Sequence, residues 1–245
     1  MKQRGFVVLV AAVVLVCTLA CSVGGLGTVR GSGSVSQEER PISHFSGVTL
    51  AALGNLYIEV GDEETLTIEA EENLLPYFEA TVTGEMLKIK TRDGVNLDPT
   101  APVNFYLTVT EIDTLVLAGS GNIEAPALQA DEFTVELSGS GDIEIAGVTA
   151  DSLEVQVSGT GTLRASGGRV EEQTVTISGS GKYEARDLQS NKADVTISGS
   201  GSMTINVRQN LEVNISGSGS VRYVGSPTLD KMTVSGTGTI EQIGD

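Results

Sequence analysis

Phe133-Thr-Val-Glu-Leu-Ser-Gly-Ser-Gly-Asp-Ile-Glu-Ile145 is the stretch from which the rest of the chain is read. Phe133, Val135, Leu137, Ile143 and Ile145 share one parity, and Gly139 and Gly141 carry the same parity between them. Alternation with a period of two places these residues on one face of a strand. The apolar phase therefore runs through the glycines rather than stopping at them, which marks Gly139 and Gly141 as inward positions where the chain bends.

The Gly-Ser/Thr-Gly triplet recurs at 119–121, 139–141, 159–161, 179–181, 199–201, 217–219 and 236–238, in steps of 20, 20, 20, 20, 18 and 19. Aligning the units yields columns. Two residues before the first glycine stand Leu117, Leu137, Val157, Ile177, Ile197, Ile215 and Val234. Two residues after the second stand Ile123, Ile143, Leu163, Tyr183, Met203, Val221 and Ile240. A single unit cannot bury such a face, whereas stacked units bury it as one continuous core. The expected fold is all-β: a parallel β-solenoid, right-handed because parallel crossovers are nearly always so. Helices are excluded, since each paired glycine would weaken a helix by about 1 kcal/mol. A propeller blade needs about 40 residues, twice this repeat.

Residues 41–112 are less regular and read as an irregular β-rich cap; 113–243 read as the regular coils. Val48 to Val60 is a degenerate first coil, with Leu53-Gly54-Asn55 in place of a clean triplet. Leu66 to Ala70, Ala80 to Val82, Leu87 to Lys90 and Phe105 to Thr110 read as strands, with a turn through Pro76.

The first twenty residues read as a signal peptide: Lys2 and Arg4 precede an apolar run from Phe6 to Val16, and Leu19-Ala20 closes it. Cys21 then stands where a bacterial lipoprotein carries its acylated cysteine, although Thr18 occupies a position where that motif prefers leucine. Cleavage before Cys21 makes it the lipidated N-terminus and removes Cys17; ordinary secretion after Ala20 is the alternative. Residues 21–40, with Gly24, Gly25, Gly27, Gly31 and Gly33 among serines, read as the lipidated cysteine and a flexible tether. Residues 41–245 are then one domain.

The chain of 245 residues carries 15 basic and 32 acidic residues, a net charge of −17, which speaks against nucleic acid and anionic lipid surfaces as partners. One histidine and two cysteines leave little for a metal centre or a nucleophile–base pair. The glycine triplets are not nucleotide loops: Glu144 stands where a dinucleotide fingerprint needs its third glycine, and no helix follows. His44 reads as a solvated residue at the domain edge. No catalytic residue, metal ligand or cofactor is assigned.

Two outward files are the most unusual surface. Ser138, Ser158, Ser178 and Ser198 form one, and Ser140, Thr160, Ser180 and Ser200 the other. A regular hydroxyl array can serve as a binding ladder for a glycan or a wall polymer, although small hydroxyl residues also suit tight corners. A second outward column, Glu124, Glu144, Arg164, Glu184, Thr204, Arg222 and Glu241, reads as a solvated charge ladder. Its sharper reading is the face of a polysaccharide-active β-helix enzyme, a lyase or hydrolase.

The repeated Leu-x-Val-x-Ile-Ser-Gly-Ser-Gly-x-Ile unit, joined to Ile68 through Val82 and Gly84-Glu-Met-Leu-Lys-Ile89, resembles the bacterial putative auto-transporter adhesin head domain, the GIN domain. The likeness covers residues 41–243. It implies a secreted, β-rich, often lipid-anchored protein and transfers no catalytic residue. The expectation is a non-enzymatic cell-envelope lipoprotein facing outward, an adhesin or surface-binding protein, with the membrane, a glycan, a wall polymer or another surface protein as partner.

Overall fold

A computed structural model describes residues 27–244 as twenty strands and one 3-10 turn. The segment read as a signal peptide, and Cys21, lie outside the described residues. The first part holds β1 (Thr28–Arg30), β2 (Val35–Arg40), β3 (Gly47–Ala51), β4 (Asn55–Val60), β5 (Thr65–Glu71), β6 (Phe78–Thr83), β7 (Met86–Thr91), β8 (Asn96–Asp98) and β9 (Asn104–Val109). The repeats follow as β10 (Thr114–Leu117), β11 (Asn122–Gln129), β12 (Glu132–Leu137), β13 (Ile143–Val157), β14 (Thr162–Ala165) and β15 (Gly168–Gly179). They end with β16 (Lys182–Gly199), β17 (Ser202–Gly217), β18 (Ser220–Val224), β19 (Thr228–Gly236) and β20 (Thr239–Gly244).

Every repeat pairs in parallel with the next, one coil on, as the column reading requires. Leu117 is in register with Leu137, Leu137 with Val157, Val157 with Ile177, Ile177 with Ile197, Ile197 with Ile215, and Ile215 with Val234. The column beyond the turn is equally continuous, from Ile123 through Ile143, Leu163, Tyr183, Met203 and Val221 to Ile240. From Leu117 to Ile215 and from Ile123 to Val221 these side chains are buried. The fold is a parallel β-solenoid. Each fully buried aliphatic side chain contributes about 1.5–3 kcal/mol.

The glycines answer two different constraints. A Cβ on Gly141 would lie 1.6 Å from the carbonyl oxygen of Gly121, so the turn backbones stack too closely for any side chain. From the later coils on, the backbone itself excludes other residues: Gly199 has φ +134°.

One inward position is polar-tipped. Tyr183 is fully buried and its hydroxyl donates to Oε1 of Gln173 at 3.3 Å. Gln173 Nε2 donates to Ser190 Oγ at 2.7 Å, and Ser190 Oγ to the Asn206 carbonyl at 2.9 Å. Burial raises the Tyr183 phenol well above its ordinary value. A relay across the core thus satisfies each polar group that the coil buries.

The segment read as an irregular cap contains two solenoid coils. β3 is parallel to β10 and β4 to β11, so residues 47–60 form the coil directly beneath the first regular one. β7 and β9, later in the chain, are parallel to β3 and β4 on their other side. The columns extend accordingly, Ile89–Leu50–Leu117 on one side of the turn and Phe105–Leu56–Ile123 on the other. Chain order and stacking order differ here because the excursion through β5 and β6 returns the chain outside its first coil. Closure comes from antiparallel strands: β5 on β9, β2 on β5, and β6 on β7. They cover the rung that would otherwise present an open edge. Phe78 packs edge-on against Phe105, with ring centroids 5.4 Å apart.

The tether reading is corrected for its second half. Thr28–Arg30 pairs in parallel with β8, and Val35–Arg40 is a six-residue strand on β5. The glycines and serines of 31–34 are a bend between strands, pinned by Glu71. Its buried carboxylate accepts from Gly33 N at 2.6 Å, Thr100 N at 2.8 Å and Thr100 Oγ1 at 2.5 Å. The Thr100 hydroxyl foremost, with these backbone donors, holds Glu71 below the usual carboxylate range.

Candidate binding surface

Local sequence sets the hydroxyl ridge. At five of the turns the residue between the two glycines keeps its backbone N–H in the ladder, among them Ser140 N, which donates to Gly119 O at 3.3 Å, Ser200 N to Gly179 O at 2.9 Å and Ser218 N to Gly199 O at 2.9 Å. The strand residue before the first glycine is held in register, Ser178 beside Ser198 and Ser198 beside Ser216. Ser138, Ser140, Ser158, Thr160, Ser178, Ser180, Ser198 and Ser200 are all exposed. Successive coils place equivalent hydroxyls at the parallel-strand spacing of about 4.8 Å. The ridge continues to Thr237, whose Oγ1 lies 3.0 Å from Ser218 Oγ.

The charged column lies beyond the turn. Arg164 stands between Glu144 and Glu184 in register and bonds both, the latter at 2.8 Å. Glu184 chiefly, then Glu144, raises the guanidinium above its ordinary value. All three side chains are roughly half exposed, so each pair stabilises by only about 0–1 kcal/mol. Arg222 stands beside Thr204 and Glu241, as expected.

Toward the cap the same column becomes aromatic. Tyr57 and Tyr106 are in register and their rings stack, 5.6 Å between centroids and 18° from parallel. Beside them runs an amide ladder: Asn122 Nδ2 donates to Asn55 Oδ1 at 2.9 Å, and Asn104 Nδ2 to Glu69 Oε1 at 2.9 Å. Asn104, with Gln37, lowers the Glu69 carboxyl.

A concavity that the sequence reading missed runs along another corner. A groove of about 1060 Å³ is lined by His44, Glu64, Glu85, Glu111, Asp113, Asp131 and Glu132, among others. A smaller one of about 260 Å³ continues it past Asp131, Asp151, Arg169 and Glu171. The signal was present, because Asp131, Asp151 and Glu171 follow one another at the repeat interval. His44 is exposed at the rim, with φ 62°, and its backbone N–H donates to Glu64 at 2.5 Å. Among the described residues no group of three or more His, Cys, Asp and Glu side chains is placed to hold a metal ion. None of the described helices is long and apolar enough to cross a membrane.

What the fold and surface define is a parallel β-solenoid with a hydroxyl ridge and an antiparallel closure at one end. The chain belongs to the family described as putative auto-transporter adhesin, head GIN domain, whose model matches residues 44–227. Solved structures share the fold. A putative adhesin from Bacteroides fragilis is 22% identical over 88% of this chain and 100% of its own, with a TM-score of 0.83. A putative lipid binding protein from Parabacteroides distasonis is 25% identical, covering 89% and 100%, with a TM-score of 0.73. A putative adhesin from Parabacteroides merdae is 22% identical, covering 88% and 99%, with a TM-score of 0.69. No curated protein matches the sequence.

Proposed function

We propose that this member of the adhesin-head family is an outward-facing cell-envelope lipoprotein, anchored through Cys21, that binds a repetitive glycan or wall polymer without catalysis. The observation that carries the reading is the ridge of exposed hydroxyls from Ser138 to Ser200, repeated coil by coil, with Ser178 and Ser198 in register. A contact made at one coil recurs at the next, so weak hydrogen bonds to a repeating polymer sum into avidity. Arg164 and its two glutamates supply the non-catalytic part of the argument. Arg164 bridges the two carboxylates on an exposed face, whereas catalysis needs groups whose pKa values are pushed apart in a desolvated site.

From Cys21 to Thr28 is seven residues, which span at most about 25 Å. In this reading the capped end stays within that distance of the anchor.

The test is a glycan and wall-polymer binding screen on the chain from Ser22 onward, since a fragment starting at residue 41 would lose β1 and β2. A quadruple Ser158→Ala, Thr160→Ala, Ser178→Ala, Ser180→Ala variant should fold normally and bind the best polymer at least about tenfold more weakly, as lost hydrogen bonds of ~0.5–1.5 kcal/mol each imply. Undiminished binding removes the ridge from the account. Turnover of a polysaccharide, abolished by Glu144→Gln or Glu184→Gln, overturns the non-enzyme reading. Acyl chains on Cys21 by mass spectrometry test the anchor separately.

A further inference from the structure

We propose that the C-terminal end of the solenoid is a self-association surface, through which two copies of this chain join end to end about a twofold axis. The columns that run through the core do not stop at the last coil; they surface there. Leu211 is fully buried, whereas Leu229, in register with it one coil on, is 48% exposed. Ile215 is fully buried and Val234, its register partner, is 43% exposed. Met232 and Ile240 pack only partly against the core. The last coil thus shows the apolar stripe that each internal coil offers to its neighbour.

The backbone is open at the same place. β19 pairs with β17 and β20 with β18, and among the described residues no strand pairs with their other edges. Such edges are templates for another strand.

The other end of the molecule decides what kind of copy fits. There β2, β5 and β6 close the first coil with antiparallel strands, so a second copy finds no open rung on which to continue head to tail. The edges of β2 and β6 are also unpaired among the described residues, but the aliphatic columns are covered there and exposed only at the last coil, so two copies that join their columns meet by like ends. That is an isologous contact, which closes as a dimer rather than growing into a fibre. The twofold sets each β19 antiparallel to its twin. The bulge at Asp230 confines that pairing to Lys231–Gly236, where Met232 and Val234 supply the inward side chains.

Charge does not oppose contact at this end. The whole chain carries −17, so two copies repel, yet residues 228–244 hold only Asp230 and Glu241 against Lys231. The whole segment is only 17 residues, below the roughly 20–30 per side of a standard interface, so the contact is at the weak end of specific association. Because the remaining repulsion is long-range, salt should strengthen the association.

The experiment is sedimentation equilibrium and small-angle scattering on the chain from Ser22 onward, up to about 100 μM, at low salt and at about 0.5 M salt. The expected result is a dimer that tightens with salt and has nearly twice the monomer's long dimension. Val234→Lys should weaken it at least about tenfold, because a lysine would be buried unpaired. Its circular dichroism should be unchanged, since the position is exposed in a single copy. Ser180→Lys, on the hydroxyl ridge, should leave the dimer intact. A monomer under all conditions overturns the proposal and leaves the end to another occupant. So does a dimer of unlengthened profile, which needs no variant to detect, or one that Val234→Lys does not touch.

Discussion

The two ends of this solenoid face the same physical problem and treat it differently. Below the first coil, antiparallel β5 and β2 and the hairpin of β6 with β7 fold over the rung, and Phe45, Phe78 and Phe105 fill the space between strands that do not repeat. Above the last coil the aliphatic columns run on to the surface with Leu229 and Val234 exposed. Between the ends, the coils bury mainly Val, Ile and Leu, with Phe133, Tyr183 and Met203 as exceptions, because a side chain that suits one rung suits the next. Aromatic rings gather at the closure, where Phe78 meets Phe105, and occur singly in the coils, as at Phe133 and Tyr183. Repetition and closure are therefore separate designs within one sheet, with different weak points.

The largest test of that contrast is Phe105→Ala in the closure. Phe105 is fully buried under Phe78, and truncation should cost about 3–5 kcal/mol by denaturant melts. A loss below that of a single coil position would mean that the aromatics do not hold the closure together. Next stands Ile177→Ala in a middle coil, expected to cost about 2–5 kcal/mol. Thr176→Ala, on the outward parity, should stay within about 0.5 kcal/mol. Equal losses at 176 and 177 would break the parity assignment on which the columns rest.

Gly199→Ala should destabilise by about 1–3 kcal/mol. The residue has φ +134° and a Cβ there would lie 2.5 Å from the Gly179 carbonyl oxygen. A neutral result would show that the turns can shift along the stack.

The closure should also be the acid-sensitive end. The folded-state pKa of Glu71 is depressed, so its contribution is complete above the ordinary glutamate value of about 4.3 and is lost as pH falls from there through the folded value. Hydrogen exchange should then accelerate at Gly33 and Thr100, whose amides Glu71 accepts, before it does so at Val175 or Val195 in the coils. Simultaneous acceleration everywhere would show one cooperative unit in place of two designs. Arg164→Ala is the smallest effect, a few tenths of a kcal/mol and weaker in high salt, as for any exposed ladder of ion pairs.

The coils were legible because each contacts a copy of its own pattern about twenty residues away. Period-two parity, the glycine interval and the columns ending at Val234 and Ile240 are all local readings multiplied by a repeat. The hydroxyl ridge was legible for the same reason, and the file of Asp131, Asp151 and Glu171 was available though unread. That Leu53-Gly54-Asn55 belongs to a true coil could be suspected from Val48 and Leu56; the register of Gly121 against Gly54 makes it so, a Cβ on Gly121 lying 2.0 Å from the Gly54 carbonyl oxygen.

That residues 41–112 cap the coils, and where β5, β6, β7 and β9 run, was legible; which strand pairs with which was not. Val35–Arg40 became a strand only because Thr65–Glu71 lies against it, and Thr28–Arg30 only because Asn96–Asp98 does. Glycines and serines at 31–34 read as tether until the buried Glu71 carboxylate takes the Gly33 amide. Likewise nothing in the order of β3, β4, β7 and β9 says that the later pair lies outside the earlier one. Parity and spacing determine which side of a strand is buried and how often the chain turns, because those follow from the backbone and from near neighbours. Apart from the β6–β7 hairpin, which strand covers a free edge is decided by partners tens of residues away, through hydrogen bonds that any extended segment can make.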